Sequence, residues 1–208
     1  MSTQEIFQAV LALDEARVIE LVAGEIAAGT AVDEILNHGL IAAMDEVGEK
    51  FSCGDFFIPE MLMAAQAMQG GLKVLKPHLS AESASGKGTV VIGTVKGDLH
   101  DIGKNLVAMM MEGAGFTVID LGVDVTPEGF LEAVRQNKAK VVALSALLTT
   151  TMPSMEATVK ALAESGLGVK AIVGGAPVTA EYASSIGAAG YSDDAPGAVV
   201  LARDLMTG

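Results

Sequence analysis

Thr89-Val90-Val91-Ile92-Gly93-Thr94-Val95, running into Lys96-Gly97-Asp98-Leu99-His100-Asp101-Ile102-Gly103-Lys104-Asn105, is the stretch from which the fold is read. The first seven residues are β-branched or small and do not alternate with polar ones, as in a parallel strand covered on both faces. The polar, glycine-flanked run after it is a loop, and a helix follows over 103–113. The same grammar recurs downstream. Further strands are expected at 117–121, 140–145, 169–173 and 189–192, with helices at 127–137, 154–165 and 180–186 between them. Alternating strand and helix predicts an α/β domain with a doubly wound, flavodoxin-like, five-stranded parallel sheet. Ligands then bind beyond the carboxyl ends of the strands.

Working back towards the N-terminus, the grammar changes. Ser2 with Glu5 has the form of a capping box, Asp14 can cap a second helix, and Val18, Val22 and Ile26 recur on one face. Gly29 closes that helix and Thr30 with Asp33 opens a third, carrying Leu36, Leu40, Met44, Val47 and Phe51. After the turn at 52–55, Pro59 suits the first turn of a fourth helix with Leu62, Ala65, Met68, Leu72 and Leu75. Residues 1–78 are therefore expected to be a four-helix bundle. Residues 79–88, Leu-Ser-Ala-Glu-Ser-Ala-Ser-Gly-Lys-Gly, have the composition of a linker, and 89–208 form the Rossmann-like sheet domain.

Composition removes several function classes. The net charge of −13 repels a phosphate backbone, so nucleic acid is not an expected partner. The one cysteine, Cys53, cannot form an internal disulfide and suits a reducing cytoplasm. MSTQEIF has no basic stretch followed by an apolar run, and no segment is long and apolar enough to span a bilayer. A cytoplasmic protein without a membrane partner is expected. His38 and His78 have no Cys or His at ligand spacing, which argues against zinc. Gly97 to Lys104 has the wrong glycine spacing for a phosphate loop, with Asn105 where a magnesium-binding hydroxyl belongs, and no GxGxxG follows the first strand.

The loop after the first strand offers other chemistry. A carboxylate at Asp98 behind the imidazole of His100 fixes its tautomer and makes the other ring nitrogen a better metal ligand. Asp98-Leu99-His100-Asp101-Ile102-Gly103 resembles the DxHxxG signature of cobalamin-binding domains. The signature continues, in order, with Ser145-Ala146-Leu147 and Gly174-Gly175, each at the end of an expected strand. Val47-Gly48-Glu49-Lys50-Phe51, Phe57-Ile58-Pro59-Glu60 and the Met/Ala-rich helix after them resemble the helical cap of the methyl-carrying members. Essentially the whole chain is similar to the small corrinoid proteins of methylamine, methanol and methoxy-compound methyltransferase systems, with a sheet domain like that of methionine synthase.

The resemblance implies a cobalamin or related corrinoid bound with its own lower base displaced and His100 as the axial cobalt ligand. It gives Asp98 the role of orienting His100, with Thr151 as the next hydroxyl of the relay. Ser145, Leu147 and Thr149 match positions lining the slot for the displaced nucleotide tail, and Gly174 and Gly175 match glycines that let that tail pass. Phe57, Met61 and Leu62 become candidates for covering the cobalt, although each also reads as bundle core. Met109, Met110 and Met111 read as packing residues.

The function so implied is a carrier that accepts a methyl group on cobalt from a substrate-specific methyltransferase and passes it to a second one acting on a folate or a thiol. A reductive activase is the third implied partner. A carrier rather than a complete enzyme is expected, since no barrel domain is present to activate a donor. The alternative is the cobalamin-binding subunit of an adenosylcobalamin mutase, which shares DxHxxG but lacks the cap pattern at 57–68. A cobalamin-dependent regulator lacks its basic DNA-reading segment here. A response regulator needs an Asp where Ser145 stands.

Overall fold

A computed structural model of the chain describes residues 2–78 and 87–207. It divides into two units, one of N-terminal helices and one built on a sheet. Except for Lys87 and Gly88, the expected linker lies outside the described residues.

In the helical unit, α1 (Thr3–Leu11) and α2 (Glu15–Ala28) are joined by a tight turn. Asp14 caps α2 by accepting the Arg17 N–H, and Gly29 ends it in the left-handed region at φ 82°. Two expected caps are not made. The Ser2 side chain accepts no capping bond, and the Thr30 hydroxyl donates to the nearly buried Glu25 carboxylate instead.

The expected third helix is α3 (Val32–Glu34), which widens into a π-helical stretch, Ile35–Ile41, and then continues as α4 (Ala42–Ser52). The wider turn brings Ile35, Leu36, Leu40 and Ile41 all into the core. α5 (Ile58–Leu75) carries Pro59 in its first turn as expected, and the Glu60 carboxylate accepts the Phe57 N–H to close that turn. Gly71 lets α5 lie close against α2, because a Cβ there would stand 2.7 Å from Val18 Cγ1. A single turn of 3₁₀ helix, Lys76–His78, follows.

The sheet unit contains β1 (Thr89–Thr94), α6 (Ile102–Gly113), β2 (Thr117–Asp120), α7 (Pro127–Asn137), β3 (Val141–Ser145), α8 (Met152–Glu164), β4 (Lys170–Gly174), α9 (Ala180–Ser185), β5 (Gly190–Tyr191) and α10 (Ala195–Thr207). All pairings are parallel, in the order β2-β1-β3-β4-β5. The expected α/β class and five-stranded doubly wound sheet are present. Val91, Val142, Leu144 and Val173 of the central strands pack on Phe130 and Met155 of the flanking helices.

Two helices differ from the sequence reading. α8 begins at Met152 rather than 154 because Pro153 is tolerated in a first helical turn. α10 was not expected at all. Its opening, Ala195-Pro196-Gly197, reads as a turn, but Asp194 accepts the Gly197 N–H at 2.8 Å and starts a helix there. Among the described residues, no helix is long and apolar enough to cross a membrane.

The chain runs from β1 outward to β2 and then returns past β1 to β3. The order therefore reverses between β1 and β3, the place where open α/β sheets bind ligands in a crevice beyond the carboxyl ends of the strands.

Candidate functional site

Both walls of this crevice are loops whose shape is set by backbone hydrogen bonds. On the first wall, Gly97 takes φ 86°, and the Asp98 N–H donates to the Val95 carbonyl to close a turn after β1. The Thr94 hydroxyl, fully buried, donates to the His100 carbonyl at 2.8 Å and ties the far end of the loop back to the strand. On the second wall, Ser145 closes β3, with Thr94 beside it in β1 and Gly174 beside it in β4. Leu147 to Thr150 then lie exposed before Thr151, buried again, opens α8.

Asp98 joins the walls. It is fully buried, and its Oδ1 accepts His100 Nδ1 at 2.7 Å and the His100 backbone N–H at 3.1 Å. Its Oδ2 accepts the Leu147 N–H and the Thr151 hydroxyl, each at 2.7 Å. Burial pushes the Asp98 carboxyl up. The bonds from Leu147, Thr151 and His100 outweigh it and hold the carboxyl far below the usual carboxylate range. An ionised carboxylate can only accept, so the proton of the pair sits on His100 Nδ1. That leaves Nε2 as the ring nitrogen outside the cluster, on a side chain that is 52% exposed.

The expected site residues fall into groups. Asp98, His100, Leu147 and Thr151 meet in one hydrogen-bonded cluster. Leu99 (71% exposed) and Ile102 (81% exposed) stand out from the first wall, and Leu147 and Leu148 are exposed on the second. An apolar rim so placed around an imidazole suits a broad apolar ligand. Asp101 accepts a bond from Asn105 Nδ2 at the start of α6, and Gly103 faces open space. Thr149 is exposed in the second wall.

The two glycines meet a demand closer to home than a ligand. A Cβ on Gly174 would stand 2.9 Å from the Ser192 carbonyl oxygen, and one on Gly175 would fall on the Ala146 carbonyl oxygen. Gly175 also takes φ 126°, a conformation that side chains disfavour. Close packing of the chain on itself is reason enough for glycine at both places.

Phe57, Met61 and Leu62 belong to the helical unit. Phe57 is 65% exposed, Leu62 is half-buried, and Met61 is fully buried in the core of its own bundle. The sequence reading missed Lys104, Asp120 and Asp124, which hold the His100 loop from behind.

Residues 88–200 match the family model described as the B12 binding domain, and residues 3–76 match a second model of that description. The trimethylamine corrinoid protein of Methanosarcina barkeri is 44% identical over 203 residues, covering 96% of this chain and 94% of the relative. The chain belongs to the corrinoid-protein family of methyltransferase systems. Another member, dimethylamine corrinoid protein 1 of Methanosarcina acetivorans, is 45% identical over 176 residues and 83% of each chain.

Solved corrinoid-type structures share the fold. A cobalamin-binding protein from Desulfitobacterium hafniense DCB-2 superposes with a TM-score of 0.83 at 34% identity, over 99% of this chain and 98% of that one. A chain of the methanol:cobalamin methyltransferase complex from Methanosarcina barkeri gives 0.88 at 32% identity, over 99% and 80%.

Proposed function

We propose that this corrinoid protein is a methyl carrier, and that it holds cobalamin or a related corrinoid at the β1/β3 crevice with His100 Nε2 as the lower axial ligand of cobalt. The observation that carries this is the buried Asp98 carboxyl group bonded at 2.7 Å to Nδ1 of an exposed imidazole. A lone imidazole supplies one ligand, so a metal held there would have to arrive with its remaining ligands already in place, as cobalt does in a corrin ring. The exposed Leu99, Ile102, Leu147 and Leu148 fit the apolar parts of such a ring.

When bound, the corrinoid supplies the cobalt centre that takes up and gives back the methyl group. The chain's own residues bind and orient it. His100 would hold the cobalt in place of the cofactor's lower base. Asp98 holds the ring in one tautomer and one direction, and Thr151 and the Leu147 N–H keep Asp98 charged. Ser145, Leu147 and Thr149 line the path of the displaced nucleotide tail, past Gly174 and Gly175. Of Phe57, Met61 and Leu62, the candidates for covering the cobalt, Phe57 is the most exposed.

The names of the relatives and the methanol:cobalamin methyltransferase complex support methyltransferase partners. In this reading a substrate-specific enzyme loads the carrier and a second, acting on a folate or a thiol, unloads it. A reductive activase completes the set. The names of the relatives, corrinoid proteins of the methylamines, favour a carrier over a mutase subunit.

The test is the visible absorption spectrum of the chain reconstituted with hydroxocobalamin, beside His100→Ala. Bands of a nitrogen-ligated, base-displaced corrinoid in the native chain, lost in the variant, support the reading. Bound corrinoid with the same spectrum in both removes His100 from the cobalt. Failure to bind any corrinoid overturns the function.

A further inference from the structure

The segment after β2 holds the His100 loop at both ends. Ile92 lies beside Asp120, so a regular ladder would place Val95 beside Val123; it bridges instead to Val125. Val123 and Asp124 are the residues added. The bonds on either side are kept, since Thr94 N–H donates to the Gly122 carbonyl and Val125 N–H donates to the Thr94 carbonyl. The extra pair therefore leaves the ladder as a bulge, a device that re-aims a side chain. Gly122 and Asp124 both take positive φ, 76° and 56°, to make it. Asp tolerates that region better than most residues, yet a non-glycine there marks a constraint.

The bulge aims Asp124 at the turn before His100. Its Oδ1 accepts the Gly97 N–H at 2.7 Å, and its own N–H donates to the Asp98 carbonyl at 3.0 Å. Beyond His100, Lys104 is almost wholly buried in the first turns of α6. Its Nζ donates to Asp120 Oδ2 at 2.5 Å and to Asn105 Oδ1 at 2.6 Å, while Asp120 Oδ1 accepts the Gly122 N–H at 2.8 Å. A buried ammonium is tolerated only when paired, so Lys104 fixes the start of α6 to the end of β2.

We propose that residues 120–124 are a two-point clamp on the His100 loop, with Asp124 and Lys104 as positioning residues that set the direction of the ring towards its ligand. Asp98 fixes the tautomer, and the clamp fixes where Nε2 points. The proposal rests on the reading of His100 as the cobalt ligand.

The test uses the full chain loaded with cobinamide, a corrinoid without a lower base, and reduced to cobalt(II), whose electron paramagnetic resonance then shows nitrogen splitting only while the imidazole is coordinated. Asp124→Gly removes the carboxylate and suits the positive φ. The coordinated fraction should fall about ten-fold relative to released imidazole, as loss of one charge-assisted hydrogen bond implies. Asp124→Asn keeps an acceptor oxygen and should restore most of the signal, which a merely structural loss would not predict. Lys104→Met, which keeps the bulk of the stem, should weaken the signal through the other end.

Wild-type splitting in both Asp124→Gly and Lys104→Met overturns the clamp while leaving His100 as ligand. Should Asp124→Gly not fold, as circular dichroism would show, Lys104→Met alone decides in the same two directions. Splitting that survives in His100→Ala overturns the ligand assignment itself, and the clamp with it.

Discussion

The helical unit and the crevice of the sheet unit are held by different forces, and their glycines show it. Gly71 in α5 is small so that side chains can meet, with Val18 and Leu40 against it. Gly175 beyond β4 is small so that backbone can meet backbone, at the Ala146 carbonyl. Around Gly71 the contacts are apolar and tolerate repacking, because methyl groups can shift by tenths of an ångström. Around Gly175 and Asp98 they are directional. A hydrogen bond bent or stranded there is lost, and what it oriented is lost with it. Precision in this chain is bought with polar groups in the crevice, and the helices rest on volume.

Three substitutions probe that contrast, beginning with the largest effect. Asp98→Ala removes the acceptor of four hydrogen bonds, from His100 Nδ1, the His100 N–H, the Leu147 N–H and the Thr151 hydroxyl; charge-assisted bonds are worth about 2 kcal/mol each, and those that water or another acceptor replaces cost less. Unfolding of the unliganded chain in urea should show a loss of about 4 kcal/mol; a loss below about 1 kcal/mol would mean the directional picture of the crevice is wrong. Met61→Ala opens a cavity in the helical bundle and should cost about 3 kcal/mol, at the middle of the range for such truncations. Thermal melting followed through the helix signal reads it, and Met61→Leu should recover most of the loss because volume is the issue there. Phe57→Ala should change stability by no more than about 0.5 kcal/mol, since most of the ring is already in water. A large destabilisation would make Phe57 a packing residue after all.

The same contrast explains what could be read from the sequence. Strands and most helices are written in local runs: Thr89–Thr94 in its β-branched residues, and α7 in Thr126, which caps it, and Pro127. The fourfold spacing from Leu36 to Met44 marked a helix, but not the wider π turn that also buries Ile35 and Ile41. α10 was hidden because Pro196-Gly197 reads as a break until Asp194 is seen to cap it.

At the site, Asp98 and His100 are two residues apart and carry a recognisable pattern. Lys104 with Asp120, and Gly97 with Asp124, are 16 and 27 positions apart. No periodicity links such pairs. Only the bulge that displaces Val95 from Val123 to Val125 brings the second pair together, and a break in strand register leaves no local trace.

Asp98 has one further consequence. Its two oxygens take donors from both walls, two from His100 and two from Leu147 and Thr151, so neither loop can shift without breaking a bond to the other. The crevice is therefore assembled before anything enters it. A ligand docking there has little backbone left to freeze, and the entropy that a floppy pair of loops would have surrendered at the encounter has already been given up during folding. Such a cradle is expected to hold its occupant for a long residence time, and to keep its shape between one occupant and the next.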